Sequence, residues 1–395
     1  MRILVISQYY YPEQFKITDI CEQLYKDGND VTVITGLPNY PEGIIYNGYK
    51  DKKNTIEIIN GVEVMRTAII PRGRVFIKRF LNYYSYVINS KKAIKKLKEK
   101  YDIVFVFEIS PVMQIYPALY YKQKTGTPVI VYCQDLWPEV LTIGGVKRNS
   151  IIYKYYWKVS QKLYSESDKI IITSPSFEDY LLKFNNITKE KIIYLPQHSY
   201  ELCDSISLKK NDEFVNLLYT GNIGKVQNVD VMIEAMKYLK AYNIKMHIVG
   251  NGSEYDNCVR VISENNLQNM VIMYGWKKRD ELIGFYEIAD ACIMSLSGAT
   301  FIGTTIPSKL QDYMSIGRPI LAGISGDACK VIDESLCGIY CEPDSAIEFA
   351  NLIKRYMNNK FSIDKYGINA RKYFEVHYKL SEFSKKLQQI MEKTI

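Results

Sequence analysis

Two doubly wound α/β domains in tandem are what this sequence predicts. Three observations carry that reading. Short β-branched runs alternate with longer amphipathic stretches along the chain, which predicts parallel sheets covered on both faces. The alternation lapses once, near residue 200, and then restarts. At 395 residues the chain is also too long for one ordinary core. With 47% apolar and 24% charged residues it is globular rather than disordered.

The first domain is drawn as residues 1–200. "RILVIS" (2–7), "DVTVIT" (30–35), "VEVMRTAI" (62–69), "DIVFVF" (102–107), "PVIVYC" (128–133), "KIIITS" (169–174) and "KIIYLP" (191–196) read as buried strands. Helical periodicity fills 16–27, 76–99, 111–125, 150–166 and 175–184. The polar, aperiodic segment 197–213 is the candidate linker. The second domain, 201–375, repeats the scheme with strands at 214–221, 244–250, 269–275, 291–296 and 318–323. The stretch 361–395 is helical and rich in Lys, and its last part, 376–395, either packs plainly at the C-terminus or returns to brace the first domain. Ligands of open α/β sheets bind beyond the carboxyl ends of the strands, so the loops there should face a common cleft.

Several function classes are excluded early. Eight scattered cysteines form no CxxC pair and no zinc-spaced cluster, as expected of free thiols in a reducing compartment. The start "MRILVISQYY" turns directly into a strand and does not read as a signal peptide. The longest uncharged run, Ala291 to Ser308, is broken by Gly, Pro, Ser and Thr and does not read as a membrane span. After the first strand comes "SQYYYPEQ" rather than a Gly-rich dinucleotide loop, and P-loop and HExxH motifs are missing. No cofactor or metal is predicted. The net charge of +8 sits entirely in residues 1–200, which hold 28 Lys/Arg against 19 Asp/Glu. That asymmetry points to an anionic partner for the first half.

Two segments of the second half carry chemistry. In "GTTIPSKLQDYM" (303–314), Gly303, Thr304 and Thr305 lead into a helix with Pro307 in its first turn. Free N–H groups at Ser308 and the positive helix end would face an anion, and Lys309 adds a charge. Asp312, one turn on, would accept hydrogen bonds from a ribose diol. The plain alternative is a helix capped by Ser308 with a solvated Lys309. In "LYTGNIGKVQNVDVMIEAM" (218–236), Gly221 allows close backbone approach. Asn222, Lys225 and Gln227 then open a helix capped by Asn228 or Asp230 and suited to a leaving diphosphate.

"PRGRVFIKRFLNYYSYVINSKKAIKKLKEK" (71–100) carries ten Lys/Arg against one Glu. Phe76, Phe80, Tyr84, Val87, Ile94 and Leu97 recur at roughly helical spacing among Lys92, Lys95, Lys96 and Lys98. Such a helix suits an anionic membrane surface, where each charge contributes about 1 kcal/mol, or it is an ordinary helix with a solvated face. No nucleic-acid-binding motif accompanies the charge.

"QYYYPEQF" (8–15), "TGLPNYPEG" with "NGY" close behind (35–49), "QDLWPE" (134–139), "YTGNIGKVQ" (219–227) and "PSKLQDYMSIGRPI" (307–320) together span nearly the whole chain. In their order and spacing the chain resembles the retaining GT-B glycosyltransferases of family 4. More narrowly, it resembles the bacterial capsule, O-antigen and colanic acid branch that includes N-acetyl-L-fucosamine transferases. The resemblance implies two Rossmann-like doubly wound domains facing a cleft. It also implies a UDP-sugar held by the second domain and an acceptor held by the first.

By that resemblance Asp312 takes the place of the family's ribose-binding glutamate, and Thr304 that of the glutamate holding the donor sugar. Asn222 and Gln227 stand where the family's Arg and Lys grip the diphosphate, so Lys225 and Lys309 are the replacement cations. Gln134 replaces the histidine before Asp135, the first-domain catalytic candidate. Glu13, Tyr40, Glu42, Trp137 and Glu139 are acceptor-site candidates; Trp137 reads more readily as core than as a sugar platform, and the glutamates read also as acceptors for loop N–H groups. The implied acceptor is an undecaprenyl-diphosphate-linked saccharide at the cytoplasmic face of the membrane. A non-catalytic nucleotide-binding partner and a UDP-sugar 2-epimerase are the alternatives.

Overall fold

The computed structural model describes residues 1–52, 55–73, 75–201, 213–299, 301–358 and 360–395. They form two compact units: Met1–Pro196 with Leu380–Ile395, and Gln197–Lys379. Most of the expected linker, residues 202–212, lies outside the described residues.

The first unit begins β1 (Arg2–Ile6), α1 (Ile17–Lys26), β2 (Asp30–Gly36), β3 (Ile56–Ile59), β4 (Val62–Thr67) and α2 (Phe76–Ile94). It continues β5 (Ile103–Glu108), α3 (Ile115–Thr125), β6 (Val129–Cys133), α4 (Ile151–Glu166), β7 (Lys169–Ile172), α5 (Ser176–Phe184) and β8 (Ile192–Tyr194). The sheet order is β3-β4-β2-β1-β5-β6-β7-β8, with every pair parallel except β3–β4. All six residues of β5 are buried, because helices cover both faces. In α1 the buried Ile17, Ile20, Cys21 and Leu24 follow the spacing of one helix face.

Two sequence expectations need correction here. Strand β3 was not anticipated, and it makes the sheet mixed. Its exposed Ile56 and Ile58 mask the alternation, but the Asn60–Gly61 turn that joins it to β4, with both φ positive, is a strong hairpin signal. Helix α2 ends at Ile94, so Leu97 lies beyond it; of the expected stripe Val87 and Ile94 are buried, beside Asn82, Tyr83, Tyr86 and Ser90, while Phe80 is exposed. Ile77, Leu81 and Ile88 point to solvent.

The second unit runs β9 (Val215–Thr220), α6 (Val229–Ala235), β10 (Ile244–Val249), α7 (Tyr255–Glu264), β11 (Val271–Met273) and α8 (Ile283–Ile288). After these come β12 (Ala291–Ser295), α9 (Ser308–Ile316), β13 (Ile320–Gly323), α10 (Asp327–Ser335), β14 (Gly338–Cys341), α11 (Ala346–Asn358) and α12 (Lys360–His377). Its sheet, β11-β10-β9-β12-β13-β14, is wholly parallel. Two apolar clusters pack its faces, one with α6, α7 and α11, the other with α8, α9, α10 and α12.

The final helix, α13 (Leu380–Glu392), belongs to the first unit. Phe383, Leu387 and Met391 join the core formed by β1, β5 and β6, with Phe383 5.6 Å from the Tyr132 ring. On its polar side Ser384 Oγ and Gln388 Nε2 donate to Asp27 at 2.6 and 2.9 Å.

Candidate active site

Reversal of strand order locates the crevice of each sheet. In the second sheet β10 and β12 lie on opposite sides of β9, so the loops after β9 and β12 flank the switch point. Gly221 follows β9 at φ +125, where a side chain is strained, and a Cβ there would lie 2.7 Å from Cε and 3.0 Å from Nζ of Lys309. The lysine is thus laid across the end of β9, its Nζ 5.1 Å from the Tyr219 ring centroid. Burial pushes its pKa down to about 8, against the pull of the Asp312 carboxylate.

Lys309 and Asp312 stand on α9, one turn apart. Pro307 is the residue before this helix, not part of its first turn, and no side chain caps it; Ser308 is its first residue and is exposed. Asp312 Oδ1 accepts from Ser199 Oγ. Tyr313 pins the helix to β9 by accepting the Thr220 N–H at 2.9 Å. Ahead of α9, Gly303 approaches Ser297 so closely that a Cβ would sit 1.7 Å from its carbonyl oxygen. Thr304 Oγ1 donates to the Phe301 carbonyl at 2.7 Å, and Thr305 is buried.

Asn222 and Gln227 bond to each other, Nδ2 to Oε1, at 3.1 Å. Lys225, in the 3-10 turn between them, is exposed and forms no ion pair among the described residues. Asn228 precedes α6 with a left-handed backbone and donates to Asp344; neither it nor Asp230 caps the helix with its side chain. Glycine, lysine and carboxylate are therefore gathered at one strand end, with the amide pair and Lys225 on the loop that leaves it.

In the first unit the order reverses at β1, between β2 and β5. Glu13, after β1, is buried and accepts the N–H groups of Asn39 and Tyr40 at 2.8 and 2.7 Å, tying that loop to the one after β2. Burial raises its pKa to about 7 despite those bonds. Tyr9, Phe15 and Tyr40 cluster above it, and the Arg72 guanidinium lies 5.2 Å from the Tyr40 ring centroid. Glu42 is exposed.

Asp135 Oδ2 accepts from the N–H and hydroxyl of Ser110 at 3.0 and 2.8 Å, and burial raises its pKa. Trp137 is buried, donates Nε1 to Ser110 Oγ at 3.2 Å and packs edge-on against Tyr156. Glu139 is buried against Arg148 and accepts from Tyr153 Oη at 2.8 Å. Of the acceptor candidates, Glu13, Trp137 and Glu139 are thus engaged inside the unit, while Tyr40 and Glu42 reach the surface.

Sequence reasoning missed Glu108, Ser110 and Arg72. Glu108 is fully buried at the end of β5, and burial, with Asp135 nearby, holds its carboxyl well above the usual range. The signal was available: "EISP" (108–111) is a strand end followed by a proline-containing loop, like the loops singled out elsewhere.

Two doubly wound units of this kind define the GT-B class. Residues 17–197 match the family described as Glycosyltransferase Family 4, and residues 204–373 match Glycosyl transferases group 1, so the chain carries a domain of each. It is 22% identical over 342 residues to a putative colanic acid biosynthesis glycosyl transferase, WcaI, of Escherichia coli, covering 80% of this chain and 82% of that one. It is 22% identical over 253 residues to a probable glycosyltransferase, WbjE, of Pseudomonas aeruginosa, covering 61% of this chain and only 62% of that protein's length. Among solved structures, sucrose-phosphate synthase from Thermosynechococcus elongatus superposes with TM-score 0.77 at 16% identity over 99% and 98% of the two chains. Anabaena HepE in complex with UDP-glucose superposes with TM-score 0.71 at 12% identity over the full length of both. These likenesses establish the fold.

Proposed function

We propose that the protein is a retaining glycosyltransferase. It moves a sugar from a UDP donor, an N-acetylated 6-deoxyhexosamine such as N-acetyl-L-fucosamine being the suggested type, to a lipid-diphosphate-linked saccharide. The pathway is bacterial capsule, lipopolysaccharide or colanic acid synthesis. The observation that carries the reading is Lys309, desolvated over Gly221 with Asp312 one turn along the same helix. A charged, desolvated ammonium gains most when an anion arrives. The diphosphate gains negative charge as the sugar leaves, so this contact strengthens toward the transition state.

In this reading Asp312 exchanges its Ser199 partner for the ribose hydroxyls, and Lys225 swings its exposed ammonium to the outer phosphate. Asn222 and Gln227 supply neutral donors where charged ones are common in the family. Departure of the diphosphate from the face the acceptor approaches gives retention, with a phosphate oxygen taking the acceptor proton. Asp135, whose pKa burial raises, orients the acceptor through Ser110. The UDP-glucose seen on HepE and the colanic acid role in the name of WcaI support the donor and pathway.

Attachment to the inner face of the membrane completes the proposal. Its support is the basic first half and the exposed Ile77, Leu81 and Ile88 of α2. Among the described residues no helix is long and apolar enough to cross a membrane. The test is UDP release from a panel of UDP-sugars, with and without a lipid-linked saccharide extract. Release that requires both donor and acceptor is expected. UDP release without acceptor, or none with any donor, would remove the transferase assignment.

A further inference from the structure

A cavity of about 470 Å³ opens in the first unit beside Ser110, the partner of Asp135. That volume lies in the range of about 300–1,000 Å³ usual for small-molecule sites. Phe80, Leu141, Ile143 and Tyr156 give it apolar walls, and Arg72 and Arg79 put two cations on its rim. Neither arginine has a carboxylate within ion-pair distance among the described residues. Arg72 is held instead by uncharged groups. Its Nη1 donates to Tyr9 Oη at 3.2 Å, and its backbone N–H donates to Asn39 Oδ1 at 2.8 Å. Two unneutralised guanidiniums beside an apolar chamber call for an amphiphile with an anionic head.

The apolar character continues outside the cavity. On α2, Ile77, Leu81 and Tyr84 share one helix face, spaced four and three residues apart. On α4, Ile151, Ile152 and Tyr155 do the same within one turn. A 3.0 Å hydrogen bond between Tyr84 Oη and Tyr155 Oη joins the two faces, and Ile77 and Ile151 are 71% and 87% exposed. An apolar surface thus adjoins a cationic, half-apolar chamber.

We infer that this cavity binds the phosphate end of a polyisoprenoid lipid. Arg72 and Arg79 hold the phosphates, the walls hold the first isoprene units, and the rest of the chain leaves over Ile77, Leu81 and Ile151. The inference rests on the proposed lipid-linked acceptor and assigns it a site.

The test is calorimetry on the full chain with farnesyl diphosphate, isopentenyl diphosphate and farnesol. Farnesyl diphosphate is expected to bind, since each buried methylene adds about fourfold in affinity. Isopentenyl diphosphate, with the same head and ten fewer carbons, should bind at least about tenfold more weakly. Arg79→Gln removes a charge-assisted contact and should weaken farnesyl diphosphate by about 10- to 100-fold. Ile143→Ser should weaken it by a larger factor than it weakens isopentenyl diphosphate. Both positions are exposed, so neither change threatens the fold. Equal binding of the two diphosphates, or full affinity in both variants, would overturn the assignment. The same variants with a lipid-linked extract separate this inference from the wider reading. Unchanged acceptor KM in both removes the cavity and keeps the acceptor. Tight farnesyl diphosphate binding by a wild type inert toward every lipid-linked acceptor keeps the cavity and removes the acceptor.

Discussion

Replacing Lys309 by methionine should stabilise the protein and disable it at once. The ammonium titrates at about 8 instead of 10.5 because burial disfavours its charge. That difference is a cost of roughly 3 kcal/mol to the unliganded fold, an upper figure for what a neutral side chain of similar length recovers. Below pH 8 both folded and unfolded chains hold the proton, and the cost is fully present. Between about pH 8 and 10.5 the unfolded chain binds more protons, so wild-type stability rises with pH and the variant's advantage fades. At roughly 2–4 °C per kcal/mol for a unit of this size, Tm at pH 7 should rise by several degrees. Turnover with the UDP donor should fall by about 10²–10³, and UDP should raise the variant's Tm less than the wild type's. Differential scanning calorimetry from pH 6.5 to 10, with and without UDP, reads all of this. A Tm at pH 7 that is unchanged or lower, with the same response to UDP, would refute the reasoning.

Asp312→Ala should weaken UDP and donor binding together by roughly tenfold with a smaller effect on kcat, whereas Asp312→Glu should be tolerated; UDP calorimetry and steady-state kinetics separate the two. Glu13→Gln tests the other displaced group: the folded pKa of about 7 exceeds the usual 4.5, so ionisation destabilises the fold increasingly from pH 4.5 to 7. The Tm advantage of the Gln variant should therefore grow across that window and level off above pH 7. Ile77→Asp with Leu81→Asp should abolish cosedimentation with anionic liposomes, and reversing Lys91, Lys92, Lys95 and Lys96 should weaken it in a salt-sensitive way. Equal binding of wild type to neutral and anionic vesicles would count against membrane attachment.

The repeated strand and helix pattern was legible because buried parallel strands are apolar throughout and the helices between them carry one apolar face. The grouping of Gly221, Lys309 and Asp312 was legible too, since they are adjacent in the chain to the strand end and helix start that place them. Partnerships across the fold were not. Nothing local in the sequence says that Ser199 meets Asp312, that Glu13 holds the Asn39 and Tyr40 amides, or that Ser110 meets Asp135, because each pair is distant in the chain and is brought together only by the fold. The outward face of α2 was misread for a related reason. Tyr83 and Tyr86 are amphipathic, and only packing decides that they turn inward while Ile77 and Leu81 do not.

Helix α13 sets an order on the making of this protein. The sheet that is synthesised first lacks Phe383, Leu387 and Met391 until residues 380–392 have been made. Between Pro196 and Leu380 the ribosome must add the whole second unit, which at about 5–20 residues per second takes roughly 10–40 s. During that interval the apolar groove awaiting α13 stands open to chaperones and to neighbouring chains. Loss of the last helix in a nonsense variant would make that interval permanent. The damage would fall on the half of the molecule that the ribosome finished first.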